Sequence, residues 1–431
     1  MSTFIMMMVV FLALVFLGVP VSFSIGISTM AGVLTTGMPL AFMSQLAFTG
    51  LDSYTYIAIP MFILSGYLME TGGLSKRLMH FASSLVGNVH GGLGIIAVLF
   101  CTFFAAISGS SPGTVAAVGA MMVPPMVEKH YDRDFSAALI ASAGSLGVLI
   151  PPSIPMVLYC IAGEVSIGEM FMAGFIPGFI MARLITDAPV HLFDIIAKKN
   201  GYRSDEGRFS WRRAGDSFRQ AIWPLLSPVI ILGGIYSGIF TATEAAVVAV
   251  IYSLIIGLFV TKELRMKDLP ELLYKTAVTS GTTVFILAFA IAFSRYLTIQ
   301  SIPKMVGELI LGISSNPYVL LTLFAVLVLI TGTFLETASQ VLIYTPLFLP
   351  PLMSMGVSPL QFGVVLTVGT MLGMMTPPVG INLFVAQGVS GAKLSGMTRK
   401  IIPFLLVMFA VQLVLVFVPW MSTFLPDLLA G

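Results

Sequence analysis

The sequence predicts an all-α polytopic membrane protein built from two inverted-topology repeats. Three observations carry this. Of 431 residues, 57% are hydrophobic and 9% are charged, whereas an ordinary soluble protein is about one quarter charged. A soluble chain of this size could not cover its core with so few charges. The apolar residues also form continuous runs, unlike the alternating strands of a transmembrane β-barrel. Finally, four Pro-Pro pairs stand at 124–125, 151–152, 350–351 and 377–378. The first and third are 226 residues apart, and so are the second and fourth.

Composition excludes several function classes. A net charge of +2 over this length gives no basic face for nucleic acid. Cys101 and Cys160 lie inside apolar runs and make no disulfide framework. His80, His90, His130 and His191 are scattered without metal-ligand spacing, so no transition-metal site is expected. No P-loop is present to bind ATP. Residues 1–17 lack a positive n-region and read as a retained first span rather than a signal peptide.

Taken in order, the runs 3–17, 21–43 and 53–75 read as spans. The pieces 93–110 and 112–129 are each short of the roughly 20 residues that cross a bilayer. They are split by a polar stretch, so 93–129 predicts a re-entrant helical hairpin. Run 134–162 exceeds a span and carries a double proline, which predicts a broken helix. Run 169–197 closes a first repeat over 1–197. Residues 198–220 form a cytoplasmic connecting loop holding Lys198, Lys199, Arg203, Arg208, Arg212, Arg213 and Arg219. The second repeat, 221–431, has spans at 221–239, 243–261, 276–296 and 401–423. Between the last two lie hairpin two (317–353) and a second broken helix (360–390).

Residues 1–75 contain no Lys or Arg. The remaining basic clusters are Lys76 with Arg77, Lys129 with Arg133, 262–275, and Lys393 to Lys400. With every cluster cytoplasmic, the chain has ten spans, one hairpin entering from each side, and both termini outside. Five spans separate equivalent points, so the second copy is upside down. Inverted repeats with matching broken helices mark secondary transporters. Proline kinking alone would account for one pair but not the shared offset.

The breaks suggest their chemistry. Hairpin one turns at Ser108, Gly109, Ser110 and Ser111, where Ser111 before Pro112 suits a helix N-cap. Hairpin two turns at Gly332, Thr333, Glu336 and Thr337, and Thr337 with Gln340 has capping-box spacing. Each tip therefore presents a helix N-terminus with positive dipole character. The breaks at Gly147, Ile150 and Pro151, and at Gly373, Thr376 and Pro377, free carbonyls because proline cannot donate. Carbonyls and hydroxyls suit sodium (Na+), and free N–H groups suit an anion. An acid such as Glu336 at membrane depth is costly unless paired. It can hold sodium, directly or through a neighbour, carry a proton, or favour the next helix start, and the sodium role is preferred. Glu244, after Thr241, reads as a capping residue. Arg183 and Asp187 form an i,i+4 pair, and Arg295 reads as a snorkelling side chain.

At these positions the sequence resembles the large membrane subunit of the tripartite ATP-independent periplasmic (TRAP) transporters, end to end. The motifs are residues 107–119 (ISGSSPGTVAAVG), 150–155 (IPPSIP), 241–246 (TATEAA) and 376–384 (TPPVGINLF). The resemblance implies a sodium-driven importer of organic acids, not an enzyme, working as an elevator in a bacterial or archaeal inner membrane. It implies a periplasmic substrate-binding protein and a separate four-helix membrane subunit as partners.

Carried over by position, Ser108 to Ser111 with the 147–153 break form one sodium site. Thr333, Glu336 and Thr337 with the 373–377 break form the other. Substrate lies between the tips near Ser110, Ser153, Thr337, Ser339 and Asn382. The motifs look more like the small-dicarboxylate branch than the sialic-acid branch. Two positions depart from the family's pattern: Glu336 stands where aspartate is common, and Gly113 where alanine is expected. A stand-alone sodium/carboxylate carrier is the alternative. An intramembrane enzyme lacks the acid–base constellation it would need.

Overall fold

The computed structural model describes residues 2–86, 91–200, 210–377 and 380–430, with side chains at 2, 187–200, 310, 311 and 430 left undescribed. His90, Arg203, Arg208 and Pro378, and the side chains of Asp187, His191, Lys198 and Lys199, therefore lie outside the described residues.

The first half comprises α1 (Ser2–Phe16), α2 (Val21–Thr35), α3 (Leu40–Leu51), α4 (Ala58–Thr71), α5 (Leu74–Val86), α6 (Gly92–Ser108), α7 (Ser111–Glu128), α8 (Arg133–Gly144), α9 (Ile154–Gly163) and α10 (Ile167–Asn200). The second comprises α11 (Trp211–Tyr236), α12 (Ala242–Ile255), α13 (Leu269–Ile299), α14 (Ile302–Ile313), α15 (Pro317–Thr331), α16 (Thr337–Ser354), α17 (Pro359–Met374), α18 (Ile381–Ser390), α19 (Leu394–Phe417) and α20 (Trp420–Ala430).

The 226-residue offset survives in three dimensions. Helices α7 and α16 start at Ser111 and Thr337 and each runs 18 residues. Helices α8 and α17 are capped by Asp132 and Ser358, again 226 apart: Asp132 accepts the Phe135 N–H at 2.7 Å and Ser358 the Leu360 N–H at 3.3 Å. Each is followed by an irregular stretch and a 10-residue helix, α9 or α18.

The expected span at 21–43 is corrected. Gly37 at φ +71° and Pro39 before α3 stop the helix after Thr35, and the segment Leu40–Leu51 bends 68° against Tyr54–Thr71. Five described helical stretches are long and apolar enough to cross a bilayer, six if that bent pair is one crossing. The other apolar helices are shorter, 10–17 residues, as expected where a crossing is assembled from two pieces.

The core surrounds the two halves that precede the breaks. Every residue from Phe135 to Gly144 and from Leu360 to Met374 is buried, and their polar side chains are hydrogen-bonded, as when Ser142, Thr367 and Thr370 bond back to backbone carbonyls of their own helices. Helix α6 packs on α7 and α8, and α15 packs on α17. The second helix of each hairpin then crosses over, α7 onto α18 and α16 onto α9. Hairpin two is the looser, because α15 and α16 touch over a much shorter stretch than α6 and α7. Two buried glutamines tie α17 to α19: Gln361 Nε2 donates to the Val416 carbonyl at 2.8 Å, and Gln412 Nε2 to Val365 at 2.9 Å. A second layer, α2, α3 and α4, gathers around α13, which also touches α16, and α12 packs on α4.

Candidate functional site

Tip one is held by its own hydroxyls. Helix α6 ends on Gly109 in the left-handed region (φ +59°), a conformation that favours glycine. The N-cap of α7 is Ser110, not Ser111 as the sequence suggested: Ser110 Oγ accepts the Gly113 N–H at 3.4 Å. Pro112 thus falls one residue later, still in the first turn. Ser108 Oγ meets Thr114 Oγ1 at 2.7 Å, and Thr114 Oγ1 donates to the Ser110 carbonyl at 2.8 Å.

This tip sits on the first break. The Ile154 N–H donates to the Gly109 carbonyl at 3.3 Å. A Cβ on Gly147 would lie 2.5 Å from the Ser110 oxygen, so only glycine lets the backbones meet. The Pro151–Pro152 bond is cis. Pro151 and Pro152 offer no N–H to the carbonyls of residues 147–149. The carbonyls of residues 149–152 accept no hydrogen bond from a described residue. Ser153, capping α9, donates to the Val148 carbonyl at 2.6 Å.

Tip two mirrors this. The Gly380 N–H donates to the Thr333 carbonyl at 3.3 Å. A Cβ on Gly373 would lie 2.5 Å from Gly332 Cα, again backbone on backbone. The Met374 and Thr376 carbonyls converge on Gly380, 3.1 and 3.0 Å from where its Cβ would stand, and accept no described hydrogen bond. Thr376 Oγ1 donates to Leu372 at 2.7 Å.

The capping box expected from Thr337 and Gln340 is not formed. Glu336 is the N-cap residue, its side chain makes no cap bond, and it is exposed between buried Leu335 and Thr337. Thr337 already lies within the helix, and its hydroxyl turns to Met374 Sδ at 3.2 Å. Gln340 instead stitches the tip, donating to the Leu335 carbonyl at 3.2 Å and accepting from Thr331 Oγ1 at 3.3 Å. The N–H groups of Thr337, Ala338 and Ser339 therefore have no partner among the described residues. The box expected at Thr241 and Glu244 does form, with the Thr241 N–H to Glu244 Oε2 at 2.8 Å.

The two halves meet through Asn382. From α18 its Nδ2 donates to Ser111 Oγ at 2.7 Å, while its Oδ1 is buried without a partner. Ser339 Oγ, on the first turn of α16, is also buried and unpartnered. Buried polar atoms without partners are rare and costly, and here both lie on the elements that form the tips and breaks.

The family profile described as "Tripartite ATP-independent periplasmic transporter, DctM component" matches residues 8–421. The chain belongs to the DctM family. Among its DctM relatives, the C4-dicarboxylate TRAP transporter large permease of Rhodobacter capsulatus is 37% identical, covering 97% of both chains. The isethionate TRAP transporter permease DctMQ of Oleidesulfovibrio alaskensis is 39% identical over 94% of this chain, which spans 64% of that relative. The sialic acid large permease of Vibrio cholerae is 35% identical over 97% of both. All are named as transporter permeases, not enzymes. The fold is shared with the solved YdaH transporter of Alcanivorax borkumensis, at TM-score 0.65, 15% identity and 87% coverage of each chain.

In this DctM chain the structure brings Ser110 to Gly147, Gly332 to Gly373, and Ser111 to Asn382. It leaves Ser153 engaged with its own turn and Glu336 exposed. Sequence reasoning missed Thr114 and Gln340. Thr114 stands one turn after Ser110, the i,i+4 spacing at which a threonine bonds back to the helix, so its spacing was a usable signal. Gln340 was noticed only as a capping partner.

Proposed function

We propose that this chain is the large permease subunit of a sodium-coupled TRAP importer, moving a small organic acid anion by an elevator mechanism. The observation that carries the reading is the pairing at each tip of unpartnered carbonyls with a helix start. At break one, the unpartnered Pro152 carbonyl beside Gly109 would supply a hard oxygen ligand, and at break two those of Met374 and Thr376, converging on Gly380 beside Thr333, would do the same. That donor set fits sodium, whose bound charge would favour an anion nearby. Residues 108–111 with 147–151 would form one such site. Gly332, Thr333, Glu336 and Thr337 with 373–377 would form the other. The free N–H groups of Thr337, Ala338 and Ser339, with Ser339 Oγ and Asn382 Oδ1, would face the carboxylate or sulfonate.

Relatives named for C4-dicarboxylates and isethionate support a small dicarboxylate, or a similar carboxylate or sulfonate, as substrate. In this reading the chain sits in the inner membrane, as its family implies, and the charge bias sets both termini periplasmic. The two halves, 1–197 and 221–431, are inverted copies joined by a cytoplasmic connection, which the structure shortens at both ends because α10 runs to Asn200 and α11 starts at Trp211. A periplasmic binding protein delivers the substrate, and a separate small membrane subunit completes the permease. Uptake of labelled succinate or isethionate into proteoliposomes carrying both membrane subunits, with the cognate binding protein outside, tests this. Uptake should require an inward sodium gradient and the binding protein. Transport indifferent to sodium would overturn the coupling, and transport without the binding protein would favour a stand-alone carrier. Ser110→Leu should abolish uptake by filling the space under tip one.

A further inference from the structure

Away from the tips, a cavity of about 400 Å³ lies where α13 and the turn Tyr54–Ile57 meet α9 and α16. Its polar wall is Arg295, Ser294 and Thr298 from α13, Tyr56, Glu164 and Thr345. Two of these hydroxyls are already committed to their own helices, Thr298 to the Ser294 carbonyl at 2.9 Å and Thr345 to Val341 at 2.6 Å. The Arg295 guanidinium, the Ser294 hydroxyl and the Tyr56 phenol have no hydrogen-bond or ion-pair partner among the described residues. Tyr56, Ser294 and Arg295 share one cavity lining. Glu164, at the end of α9 in the left-handed region (φ +55°), lines the same cavity without pairing to Arg295.

A snorkelling arginine reaches out to headgroups or bulk water from a lipid-facing helix. Arg295 is itself exposed, and it lines a recess where α13 meets α9 and α16, together with the Ser294 and Tyr56 hydroxyls. A planar guanidinium with neighbouring hydroxyls is the donor set that recognises oxyanions bidentately, and the volume suits a small solute. We infer that this cavity is a second anion site, held by Arg295 with Tyr56 and Ser294, for the carboxylate or sulfonate of a solute or the phosphate of a lipid headgroup. Glu164, in the same lining, opposes tight binding of an anion. The charge-derived orientation puts the cavity on the outer side, ahead of the tips. The inference does not depend on sodium coupling or on the elevator, because anion binding is read without transport.

Phenylglyoxal labelling of arginine in the full chain, quantified peptide by peptide by mass spectrometry, tests it. Arg77 is the internal reference, being held by the Gly73 carbonyl and Glu263 at 2.9 and 3.0 Å. In phosphatidylcholine vesicles, succinate, isethionate or inorganic phosphate should slow Arg295 labelling severalfold relative to sodium chloride of equal ionic strength, with Arg77 unchanged. Protection that appears only in phosphatidylglycerol vesicles, without added solute, identifies the lipid phosphate as the ligand. Equal labelling of Arg295 under all these conditions overturns the site, as does an Arg295 that resists the reagent in phosphatidylcholine vesicles with no anion added.

Discussion

At the residue scale, two glycines and one acid carry the sharpest expectations. Gly373 meets Gly332 backbone to backbone, and an added Cβ would stand 2.5 Å from Gly332 Cα. No side chain can rotate away to relieve that contact, so tip two must lift off its break. Gly373→Ala should therefore lose most uptake, while Gly215→Ala, with nothing within 4 Å, keeps it. Equal monodispersity of the two purified variants separates this from unfolding, and full uptake by Gly373→Ala would show that the contact is dispensable. Glu336 differs in kind. Its side chain makes no cap bond and is exposed, so Glu336→Gln should cost little stability. If its carboxylate helps hold sodium, the variant needs more sodium for half-maximal uptake. A sodium titration superimposing on the parent's would remove Glu336 from the site.

At the element scale, the two tips are equivalent but not identical, because Gly113 in α7 stands where Ser339 stands in α16, 226 residues on. A Cβ on Gly113 would touch only Ser110, with Oγ at 3.4 Å and Cβ at 3.6 Å, which is ordinary contact. Gly113→Ala should then stabilise the start of α7 by about 0.5 kcal/mol or somewhat more, chiefly by restricting the unfolded chain. A raised midpoint of thermal unfolding would show it, and a lowered one would mean that the turn needs glycine. The starts of α7 and α16 and the location of both breaks were legible in the sequence, since proline, glycine and hydroxyl residues act locally. The exact caps were less so: Ser110 and Ser111 are chemically alike, and which one caps depends on the turn at Gly109. Helices α5, α14 and α20 are not legible as continuous apolar runs because they are short or amphipathic. The looseness of hairpin two was not legible either, because α15 and α16 are each drawn to a different partner, α17 and α9.

At the scale of the whole molecule, an elevator requires the tips to slide against the helices gathered around α13, and one contact reports on that sliding. Phe334, in tip two, lies against Phe16 at the end of α1, with ring centroids 6.0 Å apart. Helix α1 has 15 residues, about 22 Å of rise, so tip two stands beside the end of α1 farthest from the N-terminus. In the proposed orientation that end faces the cytoplasm, the depth that the proposed elevator gives a hairpin that enters from outside and has moved inward. Phe16 and Phe334 should then part when the carrier faces outward. The native Cys101 and Cys160 are buried, so a short bis-maleimide should react chiefly with introduced thiols. In Phe16→Cys/Phe334→Cys, cross-linking should stop uptake, while either single variant treated alike keeps transporting. Both residues pack through apolar rings rather than hydrogen bonds, so the unlinked double variant should fold and transport. A cross-linked double variant that transports at the rate of its unlinked form would mean that tip two and α1 travel together, and the moving body would then have to include α1.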